Sequence, residues 1–219
     1  MKRCFLLFLA LLFFANTQAQ ENKSPQGKLI IKFAPLALFD PNRSVIQSGL
    51  EYKPLQWLGL QLDYGLKFTP LQALAWTNGR ENFRYYTLRA ETRFYIYNLD
   101  ETNFYLATEA FYLPHKYRLY DQFVERNGVE YRYDYADIEM KIIGGAIKTG
   151  FVVPVISKLN VDLYFGFGLR QRNIKHKTHE EVALQQPKFY EFFEPIELHE
   201  GAKTVPHISL GVKISYVLL

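Results

Sequence analysis

Thiols are all but missing from this chain: Cys4 is the one cysteine among 219 residues. It lies ahead of the residues expected in the mature protein, so disulfides, cysteine nucleophiles and cysteine-ligated metals are excluded. Long hydrophobic runs are equally scarce. The one candidate, 5–15, is short for a helix that needs ~20 apolar residues to cross a bilayer. Nor does one sign of charge dominate. Removing Lys2 and Arg3 with a leader takes the net charge from +4 to +2, which gives no reason to expect nucleic-acid binding.

What is present begins with Met1-Lys2-Arg3, the apolar run, and Asn16-Thr17-Gln18-Ala19. A charged start, an apolar stretch and small residues ahead of the cut (Thr17, Ala19) read as a secretion leader cleaved after Ala19. The expected organisation is a signal peptide over 1–19 and one β-barrel domain over 20–219.

Leu58, Leu60, Leu62, Tyr64, Leu66 and Phe68 alternate with Gly59, Gln61, Asp63, Gly65 and Lys67. A strand shows successive side chains to opposite faces, so one face is apolar and the other polar or bare. The same dyad recurs in eight candidate strands: 29–38, 45–53, 58–68, 83–97, 104–112, 138–153, 161–169 and 208–218. Pro35 weakens the first. The phase of the sixth slips near Gly144-Gly145, where a bulge or bend is expected. Short links after the second, fourth and sixth strands alternate with long ones at 69–82, 117–137 and 174–203.

An even strand count with short turns at one end and long loops at the other describes an up-and-down transmembrane β-barrel. The 16 tyrosines and 18 phenylalanines suit aromatic girdles at two interfaces. A soluble barrel would show the same alternation with the faces reversed. Glycine and mixed charge on the polar face suit a crowded lumen; the large aromatic face suits lipid. The fold class expected is all-β, an eight-stranded antiparallel barrel in the bacterial outer membrane.

Two stretches, Ile143-Gly144-Gly145-Ala146-Ile147-Lys148-Thr149-Gly150 and Val161-Asp162-Leu163-Tyr164-Phe165-Gly166-Phe167-Gly168-Leu169-Arg170, carry a resemblance. They resemble an uncharacterised family of small Gram-negative outer-membrane barrels, a domain of unknown function. The shared strand pattern uses Asp162, Tyr164, Gly166, Gly168 and Arg170, and Ala34-Pro35-Leu36 with Gly49-Leu50-Glu51-Tyr52 is similar to the family's first hairpin. The resemblance implies a barrel of the OmpA and OmpX class, with no catalytic residues and no known ligand. Leu219 stands where such barrels commonly end in an aromatic residue.

Parity places Glu51, Asp63, Lys67, Arg89, Glu91, Arg93, Glu109, Asp162, Arg170 and Lys213 in the lumen. An eight-stranded barrel is just wide enough for side chains to fill. Charges confined there have to pair, because an uncompensated partner costs ~3–5 kcal/mol. A salt-bridged plug is the first reading and a narrow ion path the second.

His176 and His179, followed by Glu180 and Glu181, have spacing that a metal could use, but the zinc-protease pattern is missing. His207 and Ser209 share a face near the rim without an orienting third residue. No catalytic site, metal or cofactor is therefore expected.

Asn127-Gly128 signals a hairpin within 117–137. A two-residue turn would oppose Glu125 to Glu130 and Asp121 to Asp134, which is unfavourable. A three-residue Arg126-Asn127-Gly128 loop avoids both and aligns Leu119, Phe123, Val129, Tyr131, Tyr133 and Tyr135 on one face. That register predicts a projecting hairpin with an aromatic stripe and open edges, suited to partner binding.

The expected role is structural, adhesive or ligand-binding, with a small-conductance pore as the alternative and a lipid-modifying enzyme third. Expected partners are outer-membrane lipid and lipopolysaccharide, the barrel assembly machinery and an external protein or glycan, with the chain itself a monomer.

Overall fold

Alternating side chains commit the chain to strands, and the strands close on themselves. The computed structural model describes residues 27–40, 43–68, 70, 79–99, 102–184 and 196–218. The expected leader, 1–19, and Leu219 lie outside the described residues, as does most of the 69–82 link. Eight strands follow in order: β1 (Lys28–Phe33), β2 (Val45–Leu55), β3 (Leu58–Lys67), β4 (Glu81–Leu99), β5 (Thr102–Arg126), β6 (Val129–Ile156), β7 (Leu159–Ala183) and β8 (Gly201–Val217). Each pairs antiparallel with its neighbours, and β8 returns to β1, so all eight are hydrogen-bonded in a ring.

The first strand is shorter than the pattern over 29–38 predicts. It stops at Phe33, and Pro35 opens a 3-10 turn, Pro35–Phe39, because proline has no N–H to give the ladder.

Outside the ring lies an apolar belt. Leu50, Leu62, Leu106, Ile147, Phe167 and Leu210 are all exposed on it. Aromatic rings gather at its two rims: Trp57 with Phe94 (6.4 Å) and Phe104 with Phe151 (5.9 Å) at one, Tyr64, Tyr86 and Tyr112 in a row at the other. Inside, the same strands bury Lys32, Glu51, Asp63, Glu91, Arg93 and Asp162.

Beyond the belt the polarity of the two faces reverses. Along β6, Ile143, Ile147 and Phe151 point out while Lys148 is buried. Ahead of Ile143 the apolar residues Ile138, Met140 and Ile142 are the buried ones, and Lys141 and Glu139 lie at the surface. With Phe83, Tyr85, Leu113, Tyr117 and Ile174 they form a hydrophobic core.

This reversal corrects the bulge expected at Gly144-Gly145. Pairing runs without a break from Leu113↔Ile142 through Ala110↔Gly145, and buried positions keep even numbers throughout. The hydrophobic residues change face because the surroundings change, while the backbone keeps its phase.

The true slip in phase lies farther out. Asp121 (φ 50°) and Glu180 (φ 55°) adopt left-handed backbone, and the ladder skips the row that holds them with Asp134. Inward positions then step from Ala136 to Tyr133, three residues instead of two.

The hairpin register also differs from the expectation. Asn127 (φ 55°) and Gly128 (φ 79°) make a two-residue turn, with Arg126 paired to Val129 and Glu125 to Glu130. Beside this like-charge pair, His199 Nδ1 lies 3.4 Å from Glu125 Oε2. Asp121 turns instead to Arg132, at 2.5 Å.

Nor is the hairpin alone. β7 continues beside it to Ala183, so β5, β6 and β7 form a three-stranded extension past the ends of β4 and β8. Much of the loop expected over 174–203 is therefore strand, and β6 has no open edge there.

Candidate functional site

Five cations and five carboxylates meet inside the ring, and every strand supplies at least one. Lys32 of β1 bonds Glu51 of β2 at 2.5 Å and Asp162 of β7 at 3.0 Å. Arg93 of β4 reaches Glu91 and Asp162, both at 2.5 Å. Lys148 of β6 joins Glu91 to Glu109, and Arg89 meets Glu109 at 3.0 Å. Lys213 of β8 closes the circuit on Asp63 of β3 at 2.7 Å. Neutral donors complete the carboxylates: Tyr105 to Asp162 (2.7 Å), Tyr95 to Glu51 (2.6 Å) and Gln61 to Asp63 (2.7 Å).

Small residues make the room. A Cβ at Gly49 would stand 1.9 Å from Asp63 Oδ1, and one at Gly59 would stand 2.2 Å from Glu51 Oε1. At these two bare positions lie the acids of neighbouring strands, and at Gly211 and Gly150 the rings of Tyr164 and Tyr105.

Of the ten lumen residues read from parity, eight enter this network. Lys67 is only half-buried and donates to the Phe83 carbonyl at 2.6 Å. Arg170 forms no ion pair among the described residues, and its Nε is buried without a partner. Two members escaped the sequence reading, Lys32 and Lys148. Each sits at the correct parity between outward residues (Ile31 and Phe33, Ile147 and Thr149), so the signal existed. The proline after β1 and the supposed slip in β6 concealed it.

The proposed aromatic stripe is dispersed. Leu119 and Tyr133 are buried in the extension's core, Tyr131 packs against it, and Phe123 is half-buried. Val129 is exposed near the tip, and Tyr135 turns to the other face. Val124, absent from the expected stripe, is wholly buried. The phase slip at the Asp121 row is the cause.

A different aromatic surface replaces it. Tyr135 stacks on His179 at 4.3 Å and lies 6.1 Å from Tyr120, giving three rings from three adjacent strands. Arg118 covers Tyr135 at 4.7 Å and is held by Asp137 at 2.8 Å.

Around the extension, Arg126 ties strands to the 196–200 segment, bonding Glu200 at 2.7 Å and Glu181 at 2.8 Å. Glu200 also accepts the His176 backbone N–H at 2.8 Å. Burial pushes the His176 imidazole below its usual range, against the pull of Glu200. His115, edge-on to Phe83 at 5.6 Å, is pushed down to about 3 by burial, with Arg43 and Arg80 adding. Burial thus favours the neutral form of both histidines. Among the described residues no group of three histidines and acids is placed to hold a metal ion.

Comparison with protein-family models, with curated proteins and with solved structures finds no match to this chain. The resemblance read from 143–150 and 161–170 therefore identifies no family, and what stands is a closed, eight-stranded antiparallel ring with an exposed apolar belt around a buried salt-bridge network.

Proposed function

We propose that the chain is an outer-membrane β-barrel whose lumen is sealed by ion pairs, and whose role is structural or adhesive. The observation that carries this reading is the reversal at Ile142 and Ile143. Along the belt large apolar residues face outward, and past it Ile138, Met140, Ile142 and their neighbours face inward into a core, with Tyr120, Val129, Val182 and Ile196 the exposed exceptions. Lipid around the belt and water around the extension account for both halves. An apolar belt in water would be an aggregation hazard.

Within the belt five cations and five carboxylates pair across the lumen, which supports a plug over a conducting path. The ladder of exposed Tyr120 with half-buried Tyr135 and His179 supports contact with an external protein or glycan, since flat aromatic rings supply contact area at little entropic cost.

Single-channel recording tests the sealed lumen. Folded protein, verified by heat-modifiable gel mobility and inserted in a planar bilayer, is expected to be silent. Discrete, reproducible openings would replace this reading with the small-conductance pore. A glycan and protein array tests the adhesive role, and Tyr120→Ser with Tyr135→Ser is expected to remove any binding seen. Binding unchanged in that variant would move the contact off this ladder, and no binding on the array would leave the structural role alone.

A further inference from the structure

The wall of the ring is incomplete at one place. β1 pairs with β8 over four residue pairs, Ile30↔Val217 to Phe33↔Ile214, whereas β7 pairs with β8 over sixteen. The missing upper part of β1 is replaced by the Pro35–Phe39 turn. Ser44 holds that turn by donating to the Leu38 carbonyl, and Tyr85 donates to the Ser44 carbonyl, both at 2.7 Å.

Behind the turn lies a cavity of about 470 Å³ that joins the outside of the ring to its interior. Its outer lining includes Leu36, Phe39 and Leu210, all exposed on the apolar belt. Its inner lining includes Arg43 and Arg89. A second, apolar groove of about 400 Å³ runs along the outside of β7 and β8 and shares Leu36 and Leu210 with the first.

Charge at this level is not balanced as it is deeper down. Arg89 and Arg170 lie in one row of the ladder, through Phe111 and Gly144, and both repel Arg43. The carboxylates near them are shared or stand off: Asp40 is 3.7 Å from Arg43, Glu109 is shared between Arg89 and Lys148, and Asp63, which also attracts Arg89, is bonded to Lys213. Arg43 Nη1, Arg89 Nε and Arg170 Nε are each buried without a hydrogen-bond partner. Unpaired buried donors are costly, and a guanidinium fork matches the oxygens of a phosphate.

We propose that this window binds a phosphate-bearing lipid from the surrounding bilayer, its phosphate on Arg43 and Arg89 within the field of Arg170 and an acyl chain along Leu36 and Leu210. The inference rests on the membrane-spanning reading above. At this gap cations and an apolar groove on the belt meet, and a lipid is the ligand that carries both complementary parts.

Two measurements separate the inference from the reading beneath it. Flotation of the refolded full chain with phosphatidylcholine vesicles is expected; a chain that stays at the bottom of the gradient overturns the membrane reading and this site together. Native mass spectrometry of the folded, flotation-competent protein then compares phosphatidic acid, diacylglycerol with the same chains, and glycerol phosphate. Phosphatidic acid should bind one to one, about tenfold or more tighter than either of the others. Equal binding of diacylglycerol would mean an apolar groove alone, and equal binding of glycerol phosphate a soluble-anion site; each overturns the proposal while leaving the barrel standing. Arg43→Gln with Arg170→Gln should erase the preference. Leu36→Asp, on the exposed turn, should do the same without touching the interior, and a preference that survives Leu36→Asp overturns the proposed route.

Discussion

Arg93 Nη1 meets Asp162 Oδ2 at 2.5 Å, three strands along the ring, and both side chains are wholly buried. Around this bond the network closes, since Asp162 also takes Lys32 and the Tyr105 hydroxyl. Removing one partner therefore strands several others.

Asp162→Leu and Arg93→Met alone should each lower stability by ~3–5 kcal/mol, the cost of leaving a buried partner uncompensated. Arg93→Met combined with Asp162→Leu removes one charge of each sign and should recover much of that loss. Urea unfolding of vesicle-inserted protein measures both, and a double variant as unstable as the sum of the singles would show the pair to be uncoupled.

Arg89→Ala distinguishes a plug from a pore. Glu109 keeps Lys148 at 2.9 Å, and Arg93 still fills the lumen below. Stability should fall by roughly 1–3 kcal/mol, the range for a lost hydrogen bond to a charged group. The bilayer should stay silent, whereas a rise in conductance would mean that Arg89 gates an open path.

Tyr133→Ala should loosen the extension and spare the belt. Tyr133 is wholly buried beside Val124, and truncating a large buried aromatic costs ~3–5 kcal/mol. Limited proteolysis should cut within 119–183 while heat-modifiable mobility persists. Loss of that mobility would mean that the extension and the ring fold as one unit.

Mild acid should destabilise the extension through His115 and His176. Both have folded-state values below the ordinary one, so the unfolded chain binds the extra protons. Their contribution is fully present above the unfolded value of about 6.5 and shrinks as pH falls below it. His115→Phe with His176→Phe should flatten the dependence between about pH 7 and pH 5, read by hydrogen exchange in β5 to β7. An unchanged slope would place the titration elsewhere.

Much of the ring was legible because side-chain parity is local. The face shared by Leu58 to Phe68, and the opposite parity of Asp63, Glu91, Arg93 and Asp162 to their apolar neighbours, follow from backbone geometry that each strand carries alone. The short turns at Gln56-Trp57 and Ser157-Lys158 were legible for the same reason. The fate of 119–135 was not, because left-handed residues at Asp121 and Glu180 shift the phase across three strands together.

By itself, then, the amino-acid order determined strand periodicity, the number of strands and the residues that could share a face. Only the tertiary structure decided which face looks inward, where that choice has opposite chemistry, and which charges meet. The physical reason is that parity is a property of one strand, whereas the medium on each face and the partner across the lumen exist only after the ring has closed. Lys148 illustrates both: its parity was written between Ile147 and Thr149, but Glu91 and Glu109 come within its reach only across the closed ring.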